Sequence, residues 1–191
     1  MGKIGILGGT FDPPHTAHLA MAEEALKKIP LDRVFFMPAL QPPHKIPQQP
    51  SAYEDRFKMV ELMVDGRNGL EPSRMEEFRE GPSYTVELLR HFKQNSADDI
   101  FFIIGADSLG ELSVWKDPEV ILELATLVVF PRTGYEMVLT VGGDASVVMF
   151  EEPVIDISSS DIRRDIAAGR KANGHLTPSV RNYILSNSLY L

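Results

Sequence analysis

Apolar residues recur along the chain with two spacings, one typical of buried strands and one typical of amphipathic helices. Short, largely apolar segments predict strands at 3–7, 34–37, within 70–78, 100–104, 126–130 and 154–157. Between these runs the apolar positions follow the helical period, as at Leu19, Ala22, Leu26 and Ile29 and again at Phe57, Val60 and Val64. This alternation indicates an α/β fold with a mostly parallel sheet and helices on both faces. Ligands of such folds bind beyond the carboxyl ends of the strands, where the strand order switches.

Capping residues predict where several helices begin. They are the capping-box pattern Ser51-Ala52-Tyr53-Glu54, the pair Asp117-Pro118 before Glu119, the serine run 158–160 and the pair Thr177-Pro178. The helix after the serine run is expected to end near Gly169, and a further helix is predicted at about 85–92. The five prolines within 38–50 predict an extended surface loop, either a cover for a site or a plain connection.

Length and composition predict one domain, 1–191, because 191 residues with 43% hydrophobic and 24% charged positions suit a single buried core. The longest aliphatic and aromatic run, 100–104, is too short to span a bilayer, and no secretory signal precedes the first strand. The absence of cysteine fits a reducing compartment, so we expect a cytoplasmic protein. A net charge of −8 disfavours a nucleic-acid surface. Any phosphate site therefore needs local cations, and the candidates are Lys45, Arg56, Arg132, Arg163 and Arg164.

The first chemical constellation follows the first strand and runs from Gly8 to His18. Gly8 and Gly9 allow a ligand to approach the backbone, and the following helix start offers free N–H groups and a positive dipole end to an anion. His15 and His18 lie three residues apart, so both project from one edge of that helix start. A glycine pair alone usually marks only a turn, and metal ligation by the two histidines is the less favoured alternative.

The second constellation, 157–163, places three serine hydroxyls at a helix start and Arg163 one turn inside the helix. Backbone N–H groups, hydroxyls and a guanidinium fork suit a phosphate, although a serine-capped helix with a solvated arginine is the simpler reading of this segment alone. A nicotinamide-dependent oxidoreductase is disfavoured, because the first loop lacks Gly-x-Gly-x-x-Gly spacing and no acid follows the second strand.

Together these segments resemble the adenylyltransferase superfamily signatures Gly-Gly-x-Phe-x-Pro-x-His-x-Gly-His and Ile-Ser-Ser-Thr-x-Ile-Arg. Ala17 and Ser160 replace the usual glycine and threonine. Within the superfamily the chain is similar to bacterial nicotinate-nucleotide adenylyltransferases, because the segments 42–45, 82–85, 104–107 and 115–116 also fall in family order. The resemblance implies a Rossmann-like, doubly wound nucleotidylyltransferase fold. It also implies adenylyl transfer from ATP to nicotinate mononucleotide, giving deamido-NAD and pyrophosphate, a step of NAD biosynthesis.

The resemblance also implies roles for individual residues. His18 would contact the α-phosphate, His15 and Arg163 the β- and γ-phosphates, and the Ser159–Ser160 helix start the leaving group. The full expected ATP site is Gly8, Gly9, Thr10, Phe11, His15, His18, Gly105, Asp107, Arg132, Ser159, Ser160 and Arg163. The expected mononucleotide site is Thr10, Lys45, Arg56, Thr85, Trp115 and Lys116, with Trp115 stacked on the pyridine ring. Mg²⁺ would be held by the substrate phosphates, with no protein side chain as ligand.

Three other readings stay open at this point. A phosphopantetheine adenylyltransferase-like enzyme would share both phosphate segments, but His15 and Gly9-Thr10 favour the nicotinate branch. A non-catalytic nucleotide sensor would bind ATP without releasing pyrophosphate. A class I aminoacyl-tRNA synthetase is remote, because an acidic chain of this length leaves no room for a tRNA-reading domain. The expected partners are small-molecule substrates, with no nucleic acid and no membrane, and the chain is a possible homo-oligomer.

Overall fold

The fold of the chain is taken from a computed structural model that describes residues 2–43, 49–78, 80–139, 141, 146–170, 172 and 174–191. Within these residues the strands are β1 Lys3–Gly9, β2 Arg33–Pro38, β3 Leu70–Pro72, β4 Asp99–Gly105, β5 Thr126–Phe130 and β6 Val147–Met149. The helices are α1 Thr16–Lys28, α2 Tyr53–Val64, α3 Thr85–Asn95, α4 Ala106–Gly110, α5 Pro118–Leu124, α6 Ser159–Ala167 and α7 Pro178–Ser186. Short 3-10 helices occur at Met75–Phe78 and Leu112–Val114.

The six strands form one sheet in the order β3-β2-β1-β4-β5-β6, and every described pair is parallel. Strands β2 and β3 are therefore added on one side of β1, and β4, β5 and β6 are added on its other side. This reversal places a topological switch between β1 and β4, at whose carboxyl ends a ligand crevice opens. The predicted Rossmann-like α/β fold is confirmed.

Strand side chains alternate between two hydrophobic cores, one on each face of the sheet. In β5, Val128 and Phe130 pack on the face covered by α1, α2, α6 and α7, whereas Leu127 and Val129 pack on the face covered by α3, α4 and α5. The strands read as continuous apolar runs because both faces are buried. No helix in the described part of the chain is long and apolar enough to cross a membrane.

The strand predicted at 154–157 was wrong, because the sixth strand is Val147–Met149. That earlier apolar run pairs with β5 along Leu127 to Val129. The later segment runs past the end of β5 and forms only one isolated bridge, between Ile155 and Arg132. Pro153 and Pro131 flank this bridge, and a proline cannot donate a ladder hydrogen bond.

One of the predicted helix starts differs from the structure, and three are confirmed. The N-cap of α2 is Ala52 and makes no side-chain cap bond, so the capping-box prediction at Ser51 was wrong. Asp117 is the N-cap of α5 as predicted, with Pro118 at the start of the helix, but it has φ 48° and its side chain makes no cap bond and lies 3.3 Å from that of Arg90. Ser158 and Thr177 cap α6 and α7 as predicted, by accepting from backbone N–H groups inside those helices.

Candidate active site

A cavity of about 460 Å³ opens at the carboxyl ends of β1 and β4, where the strand order switches. Many of its lining residues come from the segments singled out in the sequence. They are Gly8, Gly9, Thr10, Phe11, His15, His18, Thr85, Gly105, Asp107, Trp115, Lys116, Arg132, Ser159 and Ser160. The fold thus gathers into one space residues that lie as much as 152 positions apart, from Gly8 to Ser160.

The two histidines stack at the start of α1. Their ring centroids lie 3.7 Å apart with an interplanar angle of 22°, and Phe11 contacts the His18 ring edge-on at 4.9 Å. The backbone N–H of His15 donates to Nδ1 of His18 over 3.1 Å. A neutral His18 ring therefore carries its proton on Nε2, which makes that nitrogen the donor. The predicted common edge of the two histidines is confirmed.

His15 is a buried, uncharged histidine. Burial, with smaller contributions from the nearby charges of Arg132 and His175, lowers its pKa from 6.5 to about 3. Its Nδ1 is buried and has no hydrogen-bond partner among the described residues. A neutral imidazole keeps one N–H, which can donate a hydrogen bond to a phosphate oxygen.

The start of α6 meets the loop after β1. Ser158 accepts from the N–H of Ser160, and the Ser159 hydroxyl donates to the carbonyl of Pro13 over 2.9 Å. Arg163 donates to the carbonyl of Asp12 over 2.6 Å and to the Ser160 hydroxyl over 3.2 Å. The two signature segments therefore form one connected structure, and the helix starts of α1 and α6 line the same cavity.

Asp107 and Arg132 form an ion pair on the lining of the cavity, with 3.2 Å between Oδ2 and Nη1. Asp107 also turns back over Gly105, where an added Cβ would lie 2.5 Å from its Oδ1. Glycine is therefore required at 105 unless the carboxylate moves. Since a carboxylate accepts hydroxyl protons, this corner suits a ribose, and Arg132 brings positive charge beside it.

One part of the cavity lining is aromatic and contains Tyr84, Phe102 and Trp115. Trp115 is half-buried and meets Phe102 edge-on, with 6.4 Å between centroids. Lys116 lies 4.6 Å above the ring of Tyr84 and pairs with Glu87, so its charge is partly compensated. Thr85 begins α3 directly after Tyr84. This wall offers an aromatic face and a helix start to a flat, anionic ring.

Two expected site residues in the described part of the chain, Arg56 and Arg163, do not line the cavity. Lys45 lies outside the described residues. Arg56 is 1% exposed and donates to the carbonyls of Thr10, Ala39, Leu40 and Ser51, so it ties the loop after β1 to the loop after β2. Arg163 donates to the hydroxyl of Ser160, which does line the cavity. Arg164 pairs with Asp161 on the exposed side of α6.

The sequence reading missed three residues of this region. Tyr84 lines the cavity and lies in segment 82–85, of which only Thr85 was predicted to bind substrate. Asp12 is 4% exposed and accepts a 2.7 Å hydrogen bond from Tyr190. The residue pattern held a signal for Tyr84 and Asp12, because both lie inside the quoted motifs. Tyr190 gave none, because its contact spans 178 positions.

Comparison with known proteins places this chain in a family. The Cytidylyltransferase-like family model matches residues 6–165. A protein of Geobacillus thermodenitrificans named "Probable nicotinate-nucleotide adenylyltransferase" is 41% identical over 191 residues, which is 100% of this chain and 87% of that protein. A Thermus thermophilus protein of the same name is 40% identical over 189 residues, 98% of this chain and 99% of that protein.

The chain belongs to the nicotinate-nucleotide adenylyltransferase family. As a nucleotidyltransferase of this family, it has the fold of solved relatives. The Plasmodium falciparum nicotinic acid mononucleotide adenylyltransferase complexed with NaAD superposes with a TM-score of 0.82 at 16% identity, over 100% of this chain and 98% of that one. The same enzyme complexed with APC gives 0.80 at 17% identity, with the same coverage. At these identities the likeness concerns the fold.

Nucleotidyltransferases generally use a divalent metal ion. Among the described residues, no three His, Cys, Asp or Glu side chains gather into a group that could hold one. The polar side chains that line the cavity of this adenylyltransferase include imidazoles, hydroxyls, the guanidinium of Arg132, the ammonium of Lys116 and two carboxylates, those of Glu76 and of Asp107, which is paired with Arg132. Mg²⁺ prefers several oxygen ligands, which the phosphates of a nucleotide supply.

Proposed function

We propose that the chain transfers the adenylyl group of ATP to nicotinate mononucleotide, with nicotinate adenine dinucleotide and pyrophosphate as products. One observation carries the proposal: the stacked His15–His18 pair and the serine start of α6 share a single cavity with the aromatic wall around Trp115. A sensor of ATP alone would need only the phosphate side. The aromatic wall provides a place for a second substrate.

The reaction is an in-line displacement at the α-phosphorus of ATP. An oxygen of the mononucleotide phosphate forms the new P–O bond, while the bond between the α-phosphorus and the bridging oxygen breaks and its electron pair leaves with pyrophosphate. Because the nucleophile is already an anion, no general base is required. This agrees with a His15 whose lowered pKa, about 3, leaves it a poor base. Catalysis then rests on positioning and charge stabilisation.

Each part of the cavity has a role in this proposal. His18 donates to the α-phosphate, while His15, Arg163 and the start of α6 stabilise the β- and γ-phosphates as they leave. The backbone of 8–11 receives the nucleotide, and Asp107 with Gly105 binds the adenosine ribose next to Arg132. When bound to the triphosphate, Mg²⁺ supplies further positive charge to the leaving pyrophosphate, and we assign it to the phosphates rather than to protein side chains.

The acceptor side follows from the aromatic wall. Trp115 stacks on the pyridine ring, and Thr85 with the backbone near Lys116 receives the ring carboxylate. The ammonium of Lys116 is paired with Glu87. We therefore assign to Lys116 a contribution to the positive potential around the ring carboxylate, and not a direct ion pair with it. Arg56 supports the site from behind through its four carbonyl contacts.

Pyrophosphate release with three alternative acceptors tests the proposal. The protein is incubated with ATP and either nicotinate mononucleotide, nicotinamide mononucleotide or phosphopantetheine. We expect the highest kcat/KM with nicotinate mononucleotide. Release with phosphopantetheine alone would assign the chain to the other adenylyltransferase branch, and ATP binding without release for any acceptor would indicate a sensor.

A further inference from the structure

A tyrosine that follows the last helix reaches the loop between β1 and α1. The hydroxyl of Tyr190 donates to Oδ1 of Asp12 over 2.7 Å, and Asp12 is almost completely buried. Asp12 lies between Phe11 and Pro13, inside the segment that carries the two histidines. A residue remote in sequence is thus bonded directly to the loop that shapes the phosphate site.

Asp12 connects this contact to Arg163. The backbone carbonyl of Asp12 accepts from Arg163 Nη1 over 2.6 Å, and its carboxylate oxygen Oδ2 lies 3.9 Å from the same nitrogen. Arg163 in turn donates to the Ser160 hydroxyl, which lines the cavity. The chain of contacts therefore runs from Tyr190 through Asp12 and Arg163 to the start of α6. A shift of Asp12 would displace both the carbonyl and the carboxylate that hold the guanidinium.

The Tyr190 hydroxyl is suited to a permanent donor role. Burial, and then the negative charge of Asp12, raise the pKa of Tyr190 well above its ordinary range, while a hydrogen bond with Ser51 acts weakly in the opposite direction. The proton therefore stays on the phenol throughout the physiological pH range. Ser51 stands at the end of the proline-rich segment and also accepts from Arg56 through its carbonyl. The hydroxyl thus lies where two loops of the site meet.

The backbone after α7 adopts uncommon conformations to deliver this side chain. The N–H of Leu189 bonds to the carbonyl of Ile184 and the N–H of Ser188 to that of Leu185, which is the Schellman pattern of helix ends. Ser188 has φ 52°, where glycine is the usual residue, and Tyr190 has φ 65°. A bulky aromatic residue in the left-handed region is rare and strained, so surrounding contacts must hold it there.

We propose that Tyr190 is a positioning residue for adenylyl transfer, which holds Asp12, and through Asp12 the guanidinium of Arg163, in the geometry that the triphosphate requires. This inference rests on the proposed function. Tyr190 is not among the residues that line the cavity. Its loss would therefore act on the ATP side of the reaction and leave the mononucleotide side unaffected.

The variant Tyr190→Phe has a matched control in Tyr183→Phe. Tyr183 also donates its hydroxyl to a carboxylate, that of Asp55 over 2.8 Å, but this bond joins α7 to α2 away from the cavity. Both variants lose one tyrosine–carboxylate hydrogen bond and keep the ring. We expect Tyr190→Phe to lower kcat by roughly tenfold and raise the KM for ATP, because small misplacements of a charge-stabilising group are costly. The KM for nicotinate mononucleotide should not change, and Tyr183→Phe should keep wild-type kinetics.

A second pair of variants separates positioning from general loss of structure. In an Arg163→Ala background, adding Tyr190→Phe should leave kcat unchanged, because the group through which Tyr190 acts is already gone. Equal kcat for Tyr190→Phe and Tyr183→Phe in the wild-type background would overturn the inference, as would a full further loss of kcat in the Arg163→Ala background. Either result with an active wild-type enzyme leaves the proposed function intact. A wild type that forms no dinucleotide overturns both.

Discussion

Arg56 provides the sharpest stability prediction of the structure, because its charged side chain is buried and fully engaged with backbone carbonyls. It donates to Thr10 and Ala39 over 2.8 Å each, to Ser51 over 2.9 Å and to Leu40 over 3.4 Å. Replacement by Met keeps the length and the apolar stem but removes every one of these donors. The loops after β1 and β2 then lose their common tie.

The expected loss of stability is the difference between two contributions, the hydrogen bonds that are lost and the cost of burying the charge that is removed. A hydrogen bond from a charged donor contributes about 1.5–3 kcal/mol net, and three of the four bonds are short. Met, in turn, removes the cost of burying a guanidinium, a cost visible in the lowered pKa of Arg56. We therefore expect Arg56→Met to lower the free energy of unfolding by about 3–5 kcal/mol, the range for breaking one side of a buried polar network. For a chain of this size that corresponds to a fall in Tm of about 10 °C.

Urea unfolding followed by circular dichroism measures this change, with Arg90→Met as the matched control. Arg90 is an exposed arginine whose ion pair with Asp117 spans 3.3 Å, and exposed pairs contribute about 0–1 kcal/mol. A loss of less than about 1 kcal/mol for Arg56→Met, equal to that of the control, would refute the view that Arg56 ties the site loops together.

Two further predictions concern the cavity itself. Trp115→Ala should raise the KM for nicotinate mononucleotide and leave the KM for ATP unchanged, because we assign Trp115, which lines the cavity, to the mononucleotide. Steady-state kinetics with an unchanged mononucleotide KM would contradict the stacking assignment. The lowered pKa of the buried His15 predicts that the free energy of unfolding depends on pH. Because its folded pKa, about 3, lies below the ordinary 6.5, the unfolded chain takes up the proton first, so stability is present above pH 6.5 and is lost as the pH falls towards 3. In urea unfolding, the free energy of unfolding should fall by up to about 1.4 kcal/mol per pH unit in this window. The variant His15→Gln should not show this contribution. Identical slopes of unfolding free energy against pH for the two proteins would contradict a buried, neutral His15.

Much of the architecture was predictable because apolar periodicity reports burial directly. The strands at 100–104 and 126–130 are continuous apolar runs, and the structure buries them between two helical layers. The sixth strand was predicted at the wrong segment because two short, largely apolar segments, 147–150 and 154–157, could each pair with β5. Which run pairs is decided by the register along β5, and the local pattern does not contain that information.

The candidate site was predictable where chemistry and local geometry coincide in one segment. His15 and His18 lie at the start of α1, and the serines before Arg163 lie at the start of α6. The sequence spacing alone therefore predicted that each group lies together at one helix start. Arg56 and Tyr190 differ, because their partners are carbonyls and a carboxylate brought near only by the fold. A buried arginine and an exposed one look alike in sequence, so Arg56 was expected to contact substrate when it instead supports the loops.

Adenylyl transfer to nicotinate mononucleotide is tested most directly by quantifying the products of the wild-type protein alongside those of His18→Ala. Reactions with ATP, Mg²⁺ and nicotinate mononucleotide are followed by mass spectrometry of the dinucleotide and by pyrophosphate release. We predict equal amounts of nicotinate adenine dinucleotide and pyrophosphate for the wild type. A folded His18→Ala should show a kcat about 100-fold lower, since it lacks the α-phosphate donor. Pyrophosphate without dinucleotide, or a His18→Ala variant with wild-type turnover, would contradict the proposed reaction and the role of the histidine pair.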